Sequence, residues 1–81
     1  DTHLPVVSAQ DNRVRVNVGS ASHPMTPEHL IEWVYLQTRR GAQRKRLTPT
    51  DPPEVSFRLE DDQAEAVYAY CNLHGLWKTE L

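Results

Sequence analysis

With 81 residues, a formal net charge of −2, 38% hydrophobic and 25% charged residues, the chain has room for one small domain, and its basic residues do not dominate as they do in nucleic-acid binders. A single cysteine excludes an internal disulfide, and with it the secreted disulfide scaffold; this suits a reducing, cytoplasmic compartment. No apolar run reaches the length of a membrane span, and no signal peptide is visible. A core this small is marginal, and such domains often gain stability from a metal or an oligomer.

In chain order the periodicity is that of short strands separated by turn signals. Leu4 to Val7 is short and apolar. Val14, Val16 and Val18 alternate with Arg13, Arg15 and Asn17, a strand with one wet face. Leu30 to Thr38 is expected to be covered on both sides, with Ile31, Trp33 and Tyr35 on one face and Leu30, Val34 and Leu36 on the other. Arg39-Arg40-Gly41 is a turn, and the basic run Gln43 to Leu47 suits an edge strand protected by charge. Thr48 to Pro53, with its prolines, is a loop. Val55, Phe57 and Leu59 alternate, Asp61-Asp62 turns, and Ala64 to Tyr70 is a strand or, on its alanines and glutamate, a short helix. Leu76 to Thr79 closes the chain. Seven short strands with frequent turns predict an all-β, seven-stranded immunoglobulin-like antiparallel sandwich forming a single domain over residues 1–81.

Chemistry concentrates on four histidines and the cysteine. His3 precedes the first strand, His23 and His29 flank a loop holding Pro24 and Pro27, and Cys71 and His74 share one tight segment ending in Gly75. All five fall in loops or at strand ends, where a sandwich scaffold carries its sites. Both spacings, His-x5-His and Cys-x2-His, let two ligands reach one metal from one loop. A loop histidine taken alone is more often a solvated side chain, and a lone cysteine more often a small buried hydrophobe. A Cys-His protease dyad leaves three histidines without a role. On spacing alone zinc is the safer metal, since three histidines and the cysteine complete its tetrahedron. A metal-free interaction domain is the next reading.

Longer segments narrow this. His23-Pro24-Met25, then His29, then Ile31-Glu32-Trp33, are similar to the HPM…H-x-IEW block of superoxide reductases of the desulfoferrodoxin and neelaredoxin family. Tyr70-Cys71-Asn72-Leu73-His74-Gly75-Leu76-Trp77-Lys78 resembles that family's closing YCN-x-HG-x-WK, His3-Leu4-Pro5 its opening H-x-P, and Val18-Gly19-Ser20 also fits. The elements run in family order over almost the whole chain.

The resemblance implies one mononuclear non-haem iron, with His3, His23, His29 and His74 in the equatorial plane and Cys71 as axial thiolate. The sixth position stays open for superoxide, which takes one electron and two protons to become hydrogen peroxide, with no certain side-chain acid. It also implies an electron donor such as rubredoxin, and a homo-oligomer, dimer or tetramer. An alternative on the same site is an iron-binding electron carrier or redox sensor. Around the ligands, Asn72, Leu73 and Gly75 are expected to aim backbone N–H groups at the Cys71 sulfur. Gly75 would supply a backbone conformation that other residues resist. Tyr70 is a candidate neighbour of the site or, equally, a core residue, while Met25 and Trp33 are assigned to packing. Two departures stand out. Many members carry Glu-Lys before the first histidine, where this chain has Asp1 and Thr2, and a second lysine often stands where it has Glu28. Arg39, Arg40, Arg44, Lys45, Arg46 and Lys78 are the cations available to compensate.

Overall fold

The computed structural model describes residues 3–19 and 23–81. Its regular structure is entirely β: β1 (Pro5–Gln10), β2 (Arg13–Val18), β3 (Ile31–Thr38), β4 (Ala42–Arg46), β5 (Glu54–Arg58), β6 (Ala64–Cys71) and β7 (Gly75–Glu80). The strands form two antiparallel sheets, β1-β2-β5 and β4-β3-β6-β7, the expected immunoglobulin-like sandwich. Ala64–Cys71 is a strand and not a helix, because pairing with both β3 and β7 outweighs the weak helical preference of its alanines.

Alternation decides the core. Val14, Val16 and Val18 of β2, with Val55 and Phe57 of β5, point inward from the three-stranded sheet. Val34, Leu36, Val67, Ala69 and Cys71 meet them from the other. At about 25 cal/mol per Å² of apolar surface removed from water, this interlayer is the main source of stability. The Asp11-Asn12 turn between β1 and β2 is made possible by Asp11 at φ 54°, a left-handed conformation that Asp tolerates better than most residues.

The expected faces of β3 need correction. A register shift separates Ile31 from Trp33 in the pairing with β6. This bulge turns Ile31 into the core beside Val34 and Leu36, and leaves Trp33 and Tyr35 half-buried on the outer face. There Trp33 stacks on Tyr70, ring centroids 5.4 Å apart, and Tyr35 meets Tyr68 edge-on at 5.8 Å. Trp33 therefore packs as expected, but outside the sandwich core. An extra residue re-aims every side chain on one side of it.

Register brings four chain segments to one end of the molecule. Pro5 lies opposite Val18, Ile31 opposite Cys71, and Cys71 opposite Gly75. The residues just before β1, after β2, before β3 and between β6 and β7 are therefore neighbours in space. These are the segments that carry the four histidines.

Candidate metal centre

Each ligand loop is shaped locally. In the loop ending at His29, the Thr26 N–H donates to the His29 carbonyl at 2.9 Å and the His29 N–H returns to Thr26 at 3.2 Å; the Thr26 hydroxyl bridges the same pair. The turn between β6 and β7 is closed by Gly75 at φ 82°. A Cβ there would meet nothing within 4 Å, so the backbone conformation, and not space, requires glycine.

The four imidazoles form a ring. Successive centroids are 4.9 Å apart for His3–His23, 4.7 Å for His23–His29, 5.0 Å for His29–His74 and 4.6 Å for His3–His74. Neighbouring planes stand 70–78° apart. The His3–His29 separation of 6.3 Å is longer than any side. It is a diagonal of the four-cornered ring. Cys71 approaches from the core with none of its surface exposed, its Sγ 3.8 Å from His74 Nδ1. The donor atoms of His3, His29, Cys71 and His74 lie within 4.8 Å of one another. His23 falls outside that tightest set but supplies one corner of the ring.

The protonation pattern fits a metal. His23 Nδ1 lies 2.7 Å from the Pro24 carbonyl. A carbonyl only accepts, so Nδ1 carries the proton and the Nε2 lone pair is left to point elsewhere. Burial pushes the His23 pKa below its ordinary value of 6.5, against the bond to Pro24, which raises it; His29, His3 and His74 lower it further. The Nε2 atoms of His23 and His29 are buried with no hydrogen-bond partner. Leaving such a group unsatisfied costs about 1–3 kcal/mol, and a cation between them removes that cost. His3 Nε2 and His74 Nδ1 converge to 2.9 Å, as two donors aimed at one point do. His74 offers its nearer nitrogen because it lies only three residues from Cys71, too short a tether for the farther one.

The residues expected around the ligands divide. Asn72 is central: its Oδ1 accepts from the Leu30 N–H at 2.9 Å, its Nδ2 donates to the Glu28 carbonyl at 2.9 Å, and its backbone N–H donates to the Leu30 carbonyl at 3.2 Å. It staples the Cys71–Gly75 turn to the His29 segment. Its N–H is thus spent on Leu30 and not on the sulfur, contrary to expectation. Tyr70 is also a correction. Adjacent strand residues face opposite ways, so with Cys71 inward Tyr70 faces outward, onto Trp33. The Leu73 side chain is 61% exposed. Thr2 lies outside the described residues. Met25 packs on the core and its sulfur accepts from the Ile31 N–H at 3.4 Å.

Several of the compensating cations are occupied away from the ring. Arg40 pairs with Asp61 at 3.1 Å in the turns at the far end of β3. Lys45 donates to the Ser56 carbonyl, and Lys78 sits over the Tyr68 ring at 5.4 Å. The reading by motif passed over Trp77 as a site residue. Its ring stacks on His3 at 4.8 Å with planes 16° apart, and its Nε1–H donates to the His74 carbonyl at 3.1 Å. Its place two residues beyond Gly75 in the closing segment was the available signal.

Known proteins are similar to this chain in sequence and fold. A desulfoferrodoxin of Clostridium acetobutylicum is 42% identical over 81 residues, 100% of this chain and 63% of its own length. The superoxide reductase structure from Treponema pallidum superposes with a TM-score of 0.95 at 51% identity, covering 99% of this chain and 66% of that one. The one-iron superoxide reductase of Giardia intestinalis gives 0.83 at 29% identity, covering 100% and 99%. The chain thus spans under two thirds of the Clostridium and Treponema proteins, but nearly the whole of the Giardia one. The desulfoferrodoxin profile matches residues 1–80, and on that match, with its histidine ring closed over a buried cysteine, this chain belongs to the desulfoferrodoxin family.

Proposed function

We propose that this chain is a superoxide reductase domain that holds one non-haem iron on His3, His23, His29, His74 and Cys71. The observation that carries the reading is the four-cornered imidazole ring with a buried thiol beneath it. Zinc in a structural site takes four ligands as a tetrahedron, and would leave one of these five donors idle. Imidazole suits iron, and thiolate is a soft, strongly donating ligand. Iron held by these residues would supply the one electron by which superoxide, taking up two protons, becomes hydrogen peroxide, and an external donor such as a rubredoxin would return that electron.

The residues divide the work. Cys71 and His23, both buried, keep the inner side of the ring dry, where an anionic sulfur interacts strongly with a cation. His74, exposed, and His3, half-buried, border the side that substrate reaches. No helix of the described residues is long and apolar enough to cross a membrane. A thiol that must stay reduced suits the cytoplasm, and the family resemblance carries with it a homodimer or homotetramer.

Loading the purified chain with iron and oxidising it should give a visible thiolate-to-iron charge-transfer band. The loaded protein should consume superoxide in a second-order reaction, yielding peroxide without dioxygen. Tight zinc binding with no such band would overturn the reading. A band with only slow superoxide consumption would leave an electron carrier or redox sensor on the same ligands.

A further inference from the structure

His3 differs from the other ligands in how it is held. His23 and His29 are bound into one loop, and Cys71 and His74 into one turn. His3 precedes the first strand and has no partner ligand near it in sequence. Its segment is seated by β7, the edge strand of the opposite sheet. The Thr79 hydroxyl donates to the Pro5 carbonyl at 2.7 Å, and Trp77, two residues earlier on the same inward-facing side of β7, lies flat on the His3 ring. Opposite Trp77 across the ladder stands Ala69, whose small side chain leaves room for an indole on that face.

Trp77 touches a second ligand as well, through the bond from Nε1–H to the His74 carbonyl. One side chain therefore contacts the two histidines on the more exposed side of the ring, which come from opposite ends of the chain. The His23–His29 side is held by its own turn and by Asn72.

We propose that Trp77 is a positioning residue for the metal centre: it fixes the His3 imidazole in plane by stacking and fixes the His74 turn by its N–H. The proposal rests on the assignment of the histidine ring as a metal site. Rotation left to an imidazole must be frozen when the metal binds, and a flat aromatic face against the ring reduces that freedom beforehand. Partners that orient ligands in this way typically change metal affinity about 10- to 100-fold.

Cobalt(II) is the probe, read by its visible bands with the whole chain. Wild type should show a thiolate-to-cobalt band; its absence would overturn the metal-site assignment itself and leave Trp77 with nothing to position. Trp77→Leu should bind cobalt about 10- to 100-fold more weakly. Trp77→Phe, which keeps a flat ring but has no N–H, should fall between the two. The decisive comparison uses the His3→Ala background. There Trp77→Leu should cost little more, because its main partner is already gone. An equal loss of affinity with and without His3 would mean that Trp77 acts only on general stability, and would overturn the proposal. Trp33 and Trp77 are the two tryptophans of the chain. In a Trp33→Phe variant, emission then reports Trp77 alone and should change as cobalt fills the site. Unchanged emission at saturation would count equally against contact with a ligand.

Discussion

Cys71 is a fully buried member of the hydrophobic core and also the one soft donor at the centre. Serine nearly matches its size but is a poor donor to iron at neutral pH. Cys71→Ser should therefore keep the fold and abolish both the charge-transfer band and superoxide reduction; a band retained in the variant would sink the assignment of Cys71 as a ligand. The second prediction at this scale concerns Thr2, where many family members carry a lysine. A cation next to a ligand should draw in an anionic substrate, and such steering changes association rates by about 10- to 1,000-fold. Thr2→Lys should raise the second-order rate with superoxide at low ionic strength, the gain shrinking as salt screens it. The visible spectrum should hardly move, since no ligand changes. Stopped-flow rates at two salt concentrations decide it, and equal rates at low salt would remove Thr2 as the reason for any slow reaction.

Two connections between strands carry testable weight. Asn72 joins the turn between β6 and β7 to the segment entering β3 through three hydrogen bonds, two of them from its side chain. Asn72→Ala leaves the Leu30 N–H and the Glu28 carbonyl without those partners and should cost about 1–3 kcal/mol in denaturant unfolding. Metal affinity should fall with it, because two ligand-bearing segments come apart. At the far end, Asp62 ties the turn after β3 to the turn before β6, accepting from the Arg40 N–H at 3.1 Å and the Gln63 N–H at 2.8 Å. The Thr38 hydroxyl is the largest influence holding its carboxyl below the ordinary 3.8; desolvation, next in size, opposes it, and the Gln63 and Arg40 amides and the Arg40 charge add to the lowering. A depressed carboxyl contributes stability above its unfolded value and loses it as pH falls through the folded one. Asp62→Ala should therefore be less stable than wild type at neutral pH, and the gap should close as the pH falls through and below 3.8. A gap constant across that range would mean that the ionised carboxylate is not what holds the turns.

For the molecule as a whole, the ring draws on segments before β1, after β2, before β3 and around the turn after β6, so a bound metal cross-links both sheets at one end. Binding energy at a site absent from the unfolded chain is folding energy, and in a domain this small about 1 kcal/mol moves the melting temperature by about 4–8 °C. Removing the metal should lower it by more than about 10 °C. Calorimetry of the apo and iron-loaded forms measures this, and coincident melts would contradict a site built from all these segments.

The amino-acid order by itself determined most of the strands, because alternation such as Val14, Val16 and Val18 is a local pattern and a half-buried strand needs only that; Ala64 to Tyr70, open between strand and helix, was decided by pairing with β3 and β7. It also determined the ligand types, since the histidines and the cysteine stand in motifs whose spacing and order survive in one dimension. Only the tertiary structure decided which way Ile31 faces, because the bulge before Trp33 arises from pairing with β6 and leaves no mark in the alternation of β3. It also decided that Tyr70 turns away from the site while Trp77 turns into it. His3 and His74, 71 positions apart, became neighbours through the registers of β1 with β2, β3 with β6 and β6 with β7. A ring closed by long-range pairing has no local signature, so its corners could be named from the sequence while its shape, and the indole that braces it, could not.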